Sequence, residues 1–280
     1  MRDNAVAEGV TIQTNTISNG IGNGVRLHAN GPGAVINADN TVGGSGTNVY
    51  RGSTFNQGNT ITGNTGDGFR ALASNGGTIY GNLINNEISN NTQNGASLYV
   101  ENGGTIDFGT TSNRIISGNN LANNGGIGLE LISNVSATTV GQIDAVVRNN
   151  TILRNGGGGI ASSMSGQNTG GATNNLINLT VGGTSAQSNT IDGNSVAGIS
   201  FLTAGTSKGN FDLRNSSVTN TNGTPGHGIA LTRRDSSLLT AVIENVTSTG
   251  NAGDGLNVDA QGNDRTDPTQ PMSGTINTVT

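Results

Sequence analysis

The sequence predicts an all-β solenoid, a right-handed parallel β-helix of about eight or more coils forming one domain over residues 1–280. Three observations predict it. A short pattern recurs along the chain: Asn-x-Ile, then Asn, then Gly followed by an apolar residue. After each such Gly, apolar and small or polar residues alternate. The composition is rich in Gly, with 47 residues, yet only 31% hydrophobic and 3% aromatic.

The pattern is clearest at Asn59-Thr60-Ile61 with Asn64 and Gly68-Phe69, at Asn150-Thr151-Ile152 with Asn155 and Gly159-Ile160, and at Asn189-Thr190-Ile191 with Asn194 and Gly198-Ile199. The strand-opening Gly is read at Gly24, Gly68, Gly95, Gly126, Gly159, Gly198, Gly228 and Gly255. The intervals run from about 27 to 44 residues, the range of solenoid repeats. Two long intervals carry related segments, Thr41-Val42-Gly43-Gly44-Ser45 and Thr180-Val181-Gly182-Gly183-Thr184, expected to loop out of their coils.

After the Gly, the first column reads Val25, Phe69, Ala96, Ile127, Ile160, Ile199, Ile229 and Leu256. Two residues on come Leu27, Ala71, Leu98, Leu129, Ser162, Phe201, Leu231 and Val258. A period of two puts these side chains on one face of a strand, so both columns are expected to point inward. The residues between them, Arg26, Arg70, Ser97, Gly128, Ala161, Ser200, Ala230 and Asn257, face out. The next outward column is His28, then Leu72, Tyr99, Glu130, Ser163, Leu202, Thr232 and Asp259. A further column, Asn64, Asn91, Asn119, Asn155, Asn194 and Asn251, suits an amide stack along a cross-β axis. At about 4.8 Å per coil the rod is on the order of 40 Å long.

Composition narrows the function classes. Only 10% of residues are charged and 4 are Pro, so the low hydrophobicity does not indicate disorder. The net charge of −5 without a basic cluster argues against nucleic acid as partner. No apolar run is long enough to span a membrane, and Met1-Arg2-Asp3-Asn4 enters the repeat without the apolar stretch of a signal peptide. With no Cys there is no disulfide framework.

The coil pattern resembles the pectin-lyase-like superfamily of right-handed parallel β-helices, and its generic parallel β-helix repeats in particular, over nearly the whole chain. That resemblance implies the fold, and it makes acidic-polysaccharide cleavage the first activity to test. Pro225-Gly226-His227-Gly228 looks like the Gly-His-Gly element of the polygalacturonases, which implies an auxiliary role for His227 and carboxylate binding by Arg233. The family's Asn-Thr-Asp, its adjacent Asp pair and its Arg-Ile-Lys are missing. A glycosidase needs two carboxylates about one bond, and no such pair is evident. The simpler reading of His227 is a left-handed turn position, in a column with Asn23, Asp67, Asn94, Gly125, Gly158, Ala197 and Asp254. A lyase needs a base, often beside Ca²⁺ held by acids. Here Lys208 is the only Lys, and Asp67, Asp107, Asp144, Asp192, Asp212 and Asp254 fall on different coils. No catalytic residue and no cofactor is therefore expected, and no motif supports Ca²⁺.

On the outward strand face, Arg26, His28, Arg70 and Tyr99 form the best candidate patch for an anionic glycan. Neither end of the chain carries an amphipathic capping helix. The expectation is a segment of a longer surface protein, or coils that associate end to end. The functional expectation is a non-enzymatic structural or adhesive β-helix, extracellular or on a microbial surface. The alternative is a polysaccharide-active lyase or hydrolase, or a glycan-binding module, of pectin-lyase-like type.

Overall fold

The computed structural model describes residues 5–8, 10–37, 56–109, 114–134, 139–165, 175–261 and 273–279. The segment Thr41–Ser45 and the opening Met1–Asn4 lie outside the described residues. The chain is a parallel β-solenoid of about seven turns, slightly fewer than the repeat count suggests. One sheet has eight strands: Val25–Asn30, Phe69–Ser74, Ala96–Glu101, Ile127–Asn134, Gly158–Ser165, Ala197–Thr203, His227–Arg234 and Leu256–Gln261. Each pairs in parallel with its counterpart in the next coil. Twenty further strands among the described residues make up the rest of the wall. Helix is almost absent: one 3-10 turn spans Ser185–Gln187, and no helix among the described residues is long and apolar enough to cross a membrane.

The alternation works as expected at its inward columns up to the last strand, where Val258 is exposed. Phe69, Ala96, Ile160, Ile199 and Ile229 are buried in register, as are Ala71, Leu98, Phe201 and Leu231. On the opposite walls Ile61, Ile88, Leu121, Ile152, Ile191 and Val218 form one stack, and Ile79, Ile106, Ile143 and Ile177 another. The second stack reaches Gly209, where a Cβ would lie 2.4 Å from the Phe201 ring, which fills that volume instead. Phe201 and Phe211 pack at 5.2 Å between centroids.

The fourth coil corrects the register expected from the sequence. Ala96 pairs with Leu129 and Leu129 with Ile160, so the strand-opening residue there is Gly128, not Gly126. A Gly-Gly-Ile-Gly run offers two registers two residues apart, and both keep apolar residues inward. Contacts decide between them. A Cβ on Gly24, Gly68, Gly95, Gly128, Gly159, Gly198 or Gly228 would lie 2.4–2.8 Å from the carbonyl oxygen of the equivalent Gly one coil on. Gly128 meets Gly159 in this way at 2.8 Å, with the Ile152 methyl at 2.5 Å. The shift moves Leu129 and Leu131 into the inward columns. It places Glu130 outward beside Ser97 and Ala161, and Ile132 outward beside Tyr99.

The amides form two ladders rather than one. The first runs Asn15, Asn59, Asn86, Asn119, Asn150, Asn189; the second runs Asn64, Asn91, Asn124, Asn155, Asn194. Asn119 thus belongs to the first ladder, and Asn124 takes its place in the second. At each rung the backbone N–H and the Nδ2 of one Asn donate to the Oδ1 of the next, as in Asn91 to Asn124 at 3.1 and 3.0 Å. The same Nδ2 also reaches back to a carbonyl, as Asn124 does to Ile88 at 3.1 Å. The residue before most rungs is left-handed, for example Asn90, Asn123 and Asn149, each at φ 57°. This bend turns the chain and aims the following amide along the axis. Asn tolerates that region because its short amide meets little steric resistance there.

Two further expectations are corrected. The His227 column is not left-handed: of its residues only Gly158 has a positive φ, 139°, and in the coil of His227 the left-handed residue is Gly226. The reason is that these side chains themselves bond the next coil: Asn23 Oδ1 accepts from Asp67 N, Asp67 Oδ1 from Asn94 N, and Asn94 Oδ1 from Ile127 N. Thr180-Val181 does not loop out either. It ends the strand Leu176–Val181, where buried Val181 pairs with Val147 and Leu213, and the excursion begins only at Gly182.

Candidate functional site

The outward face of the eight-stranded sheet gathers the expected patch. Arg26 and Arg70 are direct partners in register, as are His28 and Leu72, and Leu72 and Tyr99. All four patch residues therefore share one face. Arg70 reaches diagonally to place its guanidinium 5.6 Å from the centroid of the Tyr99 ring. His28 Nε2 lies 3.2 Å from Ser74 Oγ, and Asn134 Nδ2 donates to the Tyr99 hydroxyl at 3.5 Å. Arg26 is exposed; beside it, Ile21, Asn23, Thr65 and Gln93 line a shallow open depression of about 420 Å³. Ile21 is fully exposed at its rim.

Two further groups join the patch: Glu130, moved there by the corrected register, and Asp67, brought in by its side chain. Glu130 stands in the same outward row as Arg26, Arg70 and Ser97. Its Oε2 accepts from Asn94 Nδ2 at 2.8 Å and from the Ser97 hydroxyl at 3.2 Å. Asp67, buried at the start of the Arg70 strand, lies 3.5 Å from Arg70 Nη1 and accepts the Asn94 backbone N–H at 3.0 Å. Burial raises the Asp67 carboxyl above its ordinary value, against the bond from Asn94 and the charge of Arg70. Burial also raises the Glu130 carboxyl; the Ser97 hydroxyl opposes the shift and the nearby Asp67 charge adds to it. Asp67 pairs with Arg70 and Glu130 stands in the same row, so with Arg26 this part of the face carries two cationic and two acidic groups rather than a cationic patch. Beside it, Leu72, Tyr99 and Ile132 share the next outward row, with Leu72 buried and Tyr99 and Ile132 half-buried. Taking Gly126 rather than Gly128 as the opener puts Glu130 in the wrong outward row; the signal that places it correctly is the 33-residue rung spacing from Asn91 to Asn124.

The groups suggested by the Gly-His-Gly element are not brought together. His227 and Arg233 sit near opposite ends of the strand His227–Arg234, about 20 Å apart at 3.3 Å per residue. His227 Nδ1 accepts the Asp254 backbone N–H at 3.0 Å, which requires the ring proton on Nε2. Arg233 Nε donates to the Ser237 carbonyl at 2.7 Å. Asp254 does neighbour His227, with Oδ2 at 3.4 Å from Nδ1, and Asp259 pairs with Thr232 as the coil register implies.

The other acids are tied to local partners. Asp107 takes Arg114 Nη1 at 2.7 Å and Gly109 N at 3.0 Å, with the same guanidinium 4.1 Å from the centroid of the Tyr80 ring. Asp144 in the neighbouring coil accepts from Gln142 and Asn178 at 2.6 Å each. Asp192 accepts from Thr219 and Asn220, and these bonds hold its carboxyl below the ordinary range. Asp212 and Glu244 flank Arg214. Among the described residues no group of three or more His, Cys, Asp or Glu is placed to hold a metal ion. Comparison with protein-family models, with curated proteins and with solved structures finds no match for this chain.

Proposed function

We propose that the chain is a non-catalytic structural or adhesive solenoid of the pectin-lyase-like β-helix type, serving as a stalk, filament unit or display scaffold outside the cell or on a microbial surface. The observation that carries this reading is the unbroken amide ladder from Asn15 to Asn189, with a second beside it from Asn64 to Asn194. Such ladders put buried hydrogen-bonding capacity into axial stiffness, which a load-bearing or displaying rod uses. The acids that a glycosidase or lyase would need are engaged in local bonds instead. Incubation with pectin, polygalacturonate and alginate should release no new reducing or unsaturated ends. Turnover on any of them would overturn the reading in favour of the polysaccharide-active alternative. Filament assembly by end-to-end association predicts sedimentation that rises with concentration, and a strict monomer at high concentration would remove that role.

A glycan-binding role for the patch is the second reading, favoured by the Arg70 guanidinium over Tyr99 and the partly exposed apolar ridge of Tyr99 and Ile132. A sugar ring packs its apolar face on such a ridge while flanking guanidinium groups take its anionic substituents. Binding to a glycan array should fall when Arg26 and Arg70 are both replaced by Ala; unchanged binding would exclude this face.

A further inference from the structure

We propose that Glu130 gates this face: by taking up a proton it removes a negative charge from the Arg26–Arg70 row and converts that row into a site for an anionic sugar chain. The inference rests on the reading that the face receives a glycan, and it adds when the face does so.

The geometry supplies the gate. Arg70 lies between Asp67, 3.5 Å from its Nη1, and Glu130, two coils along the same outward row. Asn94 links the two acids, with its backbone N–H on Asp67 and its Nδ2 on Glu130. With both acids ionised, two guanidinium groups, Arg26 and Arg70, face two carboxylates, so an arriving anion meets no net attraction. The bonds from Asn94 and Ser97 both end on Oε2 of Glu130. A proton from solvent can therefore settle on Oε1 while those bonds persist. The acid becomes neutral without dismantling its surroundings, and the row gains one unit of positive charge. Burial and the neighbouring Asp67 charge both favour the protonated form.

On the first five strands of this face the other charged or titratable groups are His28 on the first strand, and Tyr99 and Glu101 on the third; Arg234 and Asp259 lie farther along, on the seventh and eighth strands. The fifth strand presents only Ala161, Ser163 and Ser165 outward. His28 and Asp67, whose carboxyl is also raised, are competing sources of acid-dependent positive charge. Parent and variants are therefore all tested in a His28→Gln, Asp67→Asn background, in which the introduced amide can keep the Oδ1 acceptor as Asn23 and Asn94 do.

The probe is a sulfated dextran oligosaccharide, whose sulfate esters stay ionised from mildly acidic to mildly alkaline pH. Its affinity, measured by titration calorimetry, should rise roughly threefold to tenfold between pH 8 and pH 5, the weight of one nearby unit charge partly screened by solvent. Glu130→Gln should bind at pH 8 as tightly as the parent does at pH 5, with little pH dependence. Glu101→Gln should keep the parent's pH dependence. A Glu130→Gln protein that retains that dependence, or a parent whose affinity is flat with pH, overturns the gate while leaving the glycan site standing. No binding by parent or Glu130→Gln at any pH overturns the glycan site itself.

Discussion

Replacing Asn124 by Ala removes one rung of the second ladder, and the cost can be worked bond by bond. Asn124 Oδ1 accepts the Asn91 backbone N–H at 3.1 Å and the Asn91 Nδ2 at 3.0 Å. Its own Nδ2 donates to the Ile88 carbonyl at 3.1 Å and to Asn155 Oδ1 at 3.0 Å. Asn91 Nδ2 keeps a second acceptor at the Ile61 carbonyl, and Asn155 Oδ1 keeps the backbone N–H of residue 124. The uncompensated loss is one backbone group, the Asn91 N–H, because the Ile88 carbonyl stays in the parallel ladder between Glu87–Ser89 and Asn120–Ala122. A buried polar group left without its partner costs about 1–3 kcal/mol, so Asn124→Ala should destabilise by about 2 kcal/mol. In a solenoid this loss is felt first by the coils on either side. Urea unfolding followed by circular dichroism gives the total, and hydrogen exchange at the Asn91 amide gives the local share. Asn222→Ala, at an exposed loop position, is the control and should stay within about 0.5 kcal/mol. A measured cost below about 1 kcal/mol, with Asn91 exchange unchanged, would refute the assignment of energetic weight to the ladder.

Three other outcomes follow from the same geometry. Gly128→Ala drives a Cβ to 2.8 Å from the Gly159 carbonyl and 2.5 Å from the Ile152 methyl, and should cost about 2–3 kcal/mol in urea unfolding, whereas Gly22→Ala meets nothing within 4 Å, although its φ of 133° carries a separate backbone strain. Thr221 occupies a rung with its buried hydroxyl unpartnered, so Thr221→Asn should extend the second ladder from Asn194 toward Asn251 and raise stability by about 1 kcal/mol. The Glu130 carboxyl is raised in the folded chain, so its stabilising share is full below the ordinary Glu value and is lost as pH rises through the folded value. Glu130→Gln should therefore melt higher than the parent at pH 8 and converge with it in acid; a gap that widens in acid would contradict the sign.

Much of the architecture is legible in the chain because a two-residue period leaves little freedom. The inward columns through Phe69, Leu98, Ile160 and Phe201 are where the alternation puts them. The Gly column is legible as well, though for a different reason from the one composition suggests. Gly24 or Gly68 is needed for close approach between coils, while much of the left-handed bending falls to Asn85, Asn90, Asn123 and Asn149. Pairs such as Asn85-Asn86, Asn90-Asn91, Asn123-Asn124 and Asn149-Asn150 spell out a bend followed by a rung, and this doublet distinguishes the two ladders within the sequence itself. The candidate site is harder to read. Arg26, Arg70, His28 and Tyr99 share the face that alternation assigns them. Glu130 escapes the pattern because Gly126 and Gly128 are both sterically acceptable openers when only one coil is considered. Asp67 escapes it because burial at a strand start depends on the neighbouring coils, which no local pattern reports.

The intervals between rungs differ widely, 44 residues in one coil and 27 in another, yet the bonds at each rung are nearly identical. What is held constant is the set of corners, while the connecting wall is free to vary in length. Coil length and axial registry are thus decoupled: excising residues 64–90 would set Asn91 where Asn64 stood and present the same bonding atoms to the coil below. A rod of this kind can be shortened, extended or given a new surface loop one coil at a time, with the remaining joints already fitted to receive it.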